Sequence, residues 1–113
     1  MIGFSIDPAA FRCGADQFAD QLAEEGIPGA GTGRYYLMPE ALTFLQQNAT
    51  NKVYPFCRPP ASREYSYGQD TCPTAHAFLD NFIRWATFCE KYTPEDCEIA
   101  AEIVRRVADR NRR

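Results

Sequence analysis

Lysine is nearly absent from this sequence: Lys52 and Lys91 are the only two in 113 residues, and His76 is the only histidine. Any Ser-His-Asp or Cys-His mechanism must therefore pass through position 76. The five cysteines (Cys13, Cys57, Cys72, Cys89, Cys97) include no CxxC pair, which argues against both a zinc site and a redox motif. Their odd number and the lack of any sign of export lead to reduced thiols in the cytoplasm rather than a disulfide framework. No apolar run approaches the roughly 20 residues of a membrane span. The N-terminus has neither the basic region nor the long apolar region of a signal peptide. Without a secretory signal, Asn48-Ala49-Thr50 is a glycosylation acceptor only in form. The net charge of −3 leaves no broad positive field for nucleic acid. Arg105, Arg106, Arg110, Arg112 and Arg113 cluster at the end, where cations complement a helix dipole and solvate its exit. A patch for an anionic partner is the alternative reading of that cluster.

With 45% apolar and 13% aromatic residues the chain is globular, and its length fits a single domain spanning 1–113. Ile2, Phe4 and Ile6 alternate with Gly3 and Ser5, the period of a half-buried strand. A strand this near the N-terminus is either a sheet edge or the neighbour of a lost strand. From Ala15 to Glu25 the apolar residues Phe18, Ala19, Leu22 and Ala23 form a helical stripe, and Gly26 and Pro28 stop that helix. Gly29, Gly31 and Gly33 read as a turned loop. A phosphate cradle is disfavoured there, because the glycines follow a helix C-terminus and no P-loop lysine completes them. Arg34 to Met38 reads as a second short strand or extended segment, stopped by Pro39, and residues 40–49 as one or two helical turns.

Val53 to Gln69 is rich in proline and tyrosine, and Pro59-Pro60 forbids regular structure there. Pro73 opens a helix to about Asp80, followed by a strand, Phe82 to Ala86, that places Trp85 in a core or an interface. Thr93 caps the last helix, with Pro94 at its first position and Asp96 completing a capping box. Cys97, Ala100, Ile103, Val104 and Val107 form its buried stripe. The fold class expected from this order is α+β: a small, mostly antiparallel sheet with helices packed on one face.

Few residues make a case for chemistry. Cys72 and His76 are one helical turn apart, but Cys72 falls at a cap and no third group orients the imidazole. Glu24-Glu25 and Glu95-Asp96 are carboxylate pairs on helix surfaces, where solvation is the ordinary state. The best candidates for binding are Arg34, Tyr35, Tyr36, Arg58, Arg63, Tyr65 and Tyr67. Guanidinium groups fork onto phosphate, and tyrosine rings stack while offering a hydroxyl. Such a set could cover a nucleotide-sugar; equally, tyrosines in a proline-rich loop pin it to the domain surface.

Three motifs stand in order along the chain. A helix ends in Glu24-Glu25-Gly26-Ile27-Pro28 and is followed by Tyr35-Tyr36 and Pro39; then come Cys72-Pro73-Thr74-Ala75-His76 and Tyr92-Thr93-Pro94-Glu95-Asp96. In this order and spacing, from Phe4 to Ala108, the chain resembles the C-terminal small domain of the DegT/DnrJ/StrS-type sugar aminotransferases. The element Cys-Pro-x-Ala usually continues with Glu in that family, where this chain has His76. The resemblance implies the small-domain fold of the fold-type I aminotransferases, pyridoxal phosphate (PLP) as the parent family's cofactor, a nucleotide-sugar substrate and a dimeric assembly. It also implies that the cofactor lysine belongs to a large domain outside these 113 residues. Neither Lys52 nor Lys91 lies in the context the family uses, so no cofactor is expected on this chain alone and no transamination without a partner. Two functions follow: a substrate-covering small domain that pairs with a separate large aminotransferase domain, or a stand-alone binding or dimerisation module that kept the fold and lost the chemistry.

Overall fold

The computed structural model describes residues 1–33, 36–56, 59–61 and 65–113. In chain order the elements are β1 (Ile2–Ser5), α1 (Ala15–Glu24), β2 (Ala30–Thr32), α2 (Met38–Ala41), α3 (Thr43–Thr50), α4 (Pro73–Leu79), β3 (Phe82–Trp85) and α5 (Pro94–Asn111). A 3-10 turn at Gln69–Thr71 precedes α4. The chain divides into two compact units, Met1–Gly33 with Phe78–Arg113, and Arg34–Ala77.

The first unit is α+β. Its antiparallel sheet has the order β1-β3-β2, with Ile2 opposite Trp85, Phe4 opposite Ile83, and Ala30 on the other side of Trp85. Because side chains alternate across a strand, Ile2, Phe4, Ala30, Ile83 and Trp85 share one face. Both α1 and α5 pack there, around the fully buried Phe18, Leu22, Ile83 and Val107. Phe4 and Phe11 meet the ring of Phe18 edge-on, at centroid distances of 6.5 and 5.4 Å. The opposite face carries Gly3, Ser5, Gly31, Phe82 and Arg84, with Phe82 stacked on Phe78 at 5.0 Å.

Local chemistry explains the element ends. Gly26 takes φ +108° after α1, a conformation that only glycine adopts freely, and Ile27 then turns into the core. At the start of α5 the backbone N–H and hydroxyl of Thr93 donate to Asp96 Oδ2 at 2.9 Å, and the Asp96 N–H donates back to Thr93 Oγ1 at 3.2 Å. This reciprocal box holds the Asp96 carboxyl below the usual carboxylate range, chiefly through the Thr93 backbone N–H. At the far end, the buried Asn111 donates to Gln21 Oε1 (2.7 Å) and to the Val107 carbonyl (2.8 Å), so its amide is satisfied inside the core. The terminal arginines also have structural work: Arg110 and Arg106 pair with Glu25, and Arg113 Nε donates to the Phe11 carbonyl at 2.7 Å.

In the second unit α2 and α3 bury no residue fully, and Leu42 (φ −96°, ψ 85°) separates them. Gln46 Nε2 bridges the break by donating to the carbonyls of Pro39 (3.1 Å) and Glu40 (3.3 Å). Among the described residues of 53–68 there is no helix or strand.

Several expectations are corrected. Of the short strand or extended segment expected at 34–38, Arg34 and Tyr35 lie outside the described residues; Tyr36 and Leu37 belong to no strand, Leu37 has extended backbone (φ −72°, ψ 126°), and Met38 begins a helix, while β2 forms upstream, within the glycine-rich segment. Glycines at 29, 31 and 33 look like loop formers, and Gly29 and Gly33 do lie outside the strand, but Gly31 pairs with Arg84 of β3, where pairing outweighs its weak strand propensity. Residues 40–49 fall in two helices, the end of α2 to Ala41 and α3 from Thr43, with Leu42 between them. On α5, Cys97 is exposed and Val104 half-buried, so the core-facing stripe narrows to Ala100, Ile103 and Val107. Among the described residues β1 lies at one edge of the sheet.

Candidate functional site

Of the seven residues with the best case for binding, Arg34, Tyr35, Arg58 and Arg63 lie outside the described residues. Tyr36 is 76% exposed. Tyr65 and Tyr67 come together with Pro55, Phe56, Pro60 and Ala61 around a shallow depression of about 270 Å³ in the second unit. Phe56 meets Tyr67 edge-on at 6.0 Å. Tyr36 is not among the residues lining it. The described lining offers ring faces and prolines for stacking, and no charge.

His76 has a partner that the sequence reading missed. Its Nε2 contacts Glu40 Oε1, joining α4 to α2 within the second unit, and both side chains are about one third exposed or less (32% and 27%). The carboxylate lies 36 positions away, and no local pattern ties the two together. A His–carboxylate pair can orient an imidazole, but a nucleophile must lie on its other side. Cys72 touches His76 only through the backbone, where the His76 N–H donates to the Cys72 carbonyl at 3.0 Å; among the described residues its thiol has no hydrogen bond. No group of three or more His, Cys, Asp or Glu among the described residues could hold a metal ion. Lys52 and Lys91 are exposed, Lys52 with φ 54° just beyond α3 and Lys91 just before the Thr93 cap.

A second concavity is an apolar groove in the first unit. It lies between the inner face of β1 and β3 and the flank of α5, with a volume of about 220 Å³. Ile2 and Phe4 form one wall; Cys97, Ala101 and Val104 form the other, over a floor that includes Ile83 and Trp85. Its origin is topological. The core-facing stripe of α5 docks against α1 and the sheet centre, so the inner face of the edge strand receives less cover and Ile2 remains 43% exposed. The floor is rigidly held: Trp85 Nε1 donates to the Pro28 carbonyl (3.1 Å) and to Thr87 Oγ1 (3.0 Å), while its ring meets Phe88 and Tyr92 at about 5 Å. Gly29, at φ +76°, is required beside it, because a Cβ there would lie 2.7 Å from Thr87 Cγ2. Sequence periodicity places Ile2 and Phe4 on an apolar strand face but does not show that the face stays open. A lining of aliphatic and aromatic side chains, with the single thiol of Cys97, can bind another apolar surface. No helix among the described residues is long and apolar enough to cross a membrane. No protein-family model, curated protein or solved structure matches the chain.

Proposed function

We propose that the chain is a binding or assembly module, which works by docking another polypeptide surface into the groove between β1 and α5. The observation that carries this reading is the groove itself: aliphatic and aromatic side chains held open on a rigid floor, next to an edge strand. Burying such surface is favourable by about 25 cal/mol per Å² of apolar area, so an uncovered groove is a standing drive toward association. The test is a titration with an apolar fluorescent dye over a protein dilution series, on the native chain and on Ala101→Asp. A saturable signal from one site per chain, lost in A101D while circular dichroism is unchanged, is the expected result. Absence of a saturable signal at every dilution sinks the reading.

A second reading rests on the joint order of the motifs around Gly26, Pro73 and Thr93. In it the docked surface is the PLP-bearing large domain of a sugar aminotransferase, and Arg34, Tyr35, Tyr36, Arg58, Arg63, Tyr65 and Tyr67 help to cover a nucleotide-sugar. The chain alone would then be inert, and the same groove would serve as the domain interface.

A further inference from the structure

The hydrogen-bond phase of the sheet leaves one row of backbone groups open. In an antiparallel ladder, opposed residues alternate between pairs that exchange hydrogen bonds and pairs whose N–H and C=O groups point away. The Ile6 N–H donates to the Asn81 carbonyl at 3.0 Å, one step beyond Ser5 opposite Phe82, so Phe4 and Ile2 also turn their backbone groups toward β3. Gly3 and Ser5 therefore direct theirs outward. The other side of β3 agrees: the Ala86 N–H donates to the Gly29 carbonyl at 3.2 Å, which gives Arg84 to β2 and leaves Ile83 and Trp85 to β1. Gly3 and Ser5 are exposed, and among the described residues nothing donates to or accepts from their outward groups.

Edge strands are ordinarily guarded by charge, proline or a bulge. Ile2–Ser5 carries no charge and no proline, and its register against β3 is unbroken. The opposite edge differs: β2 is three residues long, and its outward Ala30 N–H already donates to the Ile27 carbonyl at 3.4 Å. The groove opens along the unguarded edge, where Ile2 and Phe4 on the inner face of β1 are faced by Cys97 and Ala101 of α5. A strand laid beside β1 would send every second side chain to that inner face. The edge thus calls for extended backbone, and the groove for apolar side chains at alternate positions. A docked helix or a small apolar molecule would cover the groove and leave the outward groups of Gly3 and Ser5 without protein partners.

We infer that the partner of this chain is an extended polypeptide segment with apolar residues at alternate positions, added to β1 as a further strand through the outward N–H and C=O groups of Gly3 and Ser5. The inference rests on the proposed binding role of the groove and specifies the conformation and chemistry of its occupant.

Amide hydrogen exchange of the full chain, read residue by residue by NMR, tests this pairing. The probe is a blocked peptide of alternating threonine and valine with a lysine at each end. In the free chain the Gly3 and Ser5 amides exchange fast, while those of Phe4 and Ile83 are protected. Peptide at ten times its Kd slows Gly3 and Ser5 about tenfold. A peptide with threonine in place of every valine binds about tenfold more weakly, having lost the apolar side chains. Ser5→Pro removes an outward donor without touching the β1–β3 ladder, so it weakens peptide binding about tenfold while dye uptake by the groove is unchanged. Should S5P fail to fold, the exchange pattern of the native chain decides alone. Peptide binding that leaves Gly3 and Ser5 exchange unchanged overturns the inference, and so does the absence of binding at millimolar peptide. Protection of both amides that rises with protein concentration alone assigns the edge to a second copy and overturns it too. In each of these cases a saturable dye signal keeps the binding role of the groove; its loss removes both.

Discussion

The ring of Phe82 occupies the space where a side chain at position 3 would begin: a Cβ built on Gly3 collides with its outer edge. The two residues lie on the outer face of the sheet, with Phe82 opposite Ser5 and Gly3 opposite Arg84, so the ring leans diagonally across the β1–β3 ladder. Phe78 stacks on the same ring, with centroids 5.0 Å apart. An edge strand thereby gains an aromatic cover in exchange for a residue with weak strand propensity.

Gly3→Ala therefore destabilises the fold by about 1–3 kcal/mol, the usual cost of overpacking. Urea denaturation of G3A measures it. In a Phe82→Leu background the same substitution should cost much less, and equal costs in the two backgrounds would show that the ring is not the obstacle.

The acid limb of stability depends on two carboxylates. Glu25 is held below its ordinary value by its hydrogen bond to Arg110, with further help from the charges of Arg110 and Arg106; Asp96 is held below by the Thr93 N–H and hydroxyl. A carboxyl depressed in the folded state contributes stability above its unfolded pKa, and that contribution is lost as pH falls through the folded value. Thermal melts should accordingly drop as pH is lowered through the carboxylate range, and Glu25→Gln with Asp96→Asn should flatten the drop. Added salt should weaken the Glu25 contribution first, since its partners are solvated arginines. A pH profile unchanged in the double variant would rule out these groups as its source.

His76 and Glu40 couple two short helices of the second unit that bury no residue fully. A double-mutant cycle with His76→Ala and Glu40→Ala should give a coupling of roughly 0.5–1 kcal/mol, the range for partly exposed ion pairs. Zero coupling would mean that the contact adds nothing to the unit.

Incubation with PLP and borohydride reduction should leave no stoichiometric adduct on Lys52 or Lys91. Both residues are exposed, and neither lines the groove or the tyrosine-lined depression described above. Intact mass measurement decides this, and a single phosphopyridoxyl group on either lysine would contradict a module without chemistry of its own.

Local sequence determines much of this protein. Gly26 stops α1, Pro73 opens α4, and Thr93 with Asp96 starts α5, because each depends on backbone conformation or hydrogen bonds within a few residues. The α+β class and the alternation of Ile2 and Phe4 are legible for the same reason. What only tertiary structure decides are the features set by distant partners. β2 falls at Ala30–Thr32 because β3 pairs there, against the propensity of its glycine. Glu40 meets His76 across 36 positions with no shared motif. The apolar residues of α5 separate into a buried stripe and an open one only once α1 and the sheet have taken the side that faces them. Periodicity shows which residues share a helix face; the packing of neighbours settles how much of that face stays uncovered, and here that uncovered part is the groove.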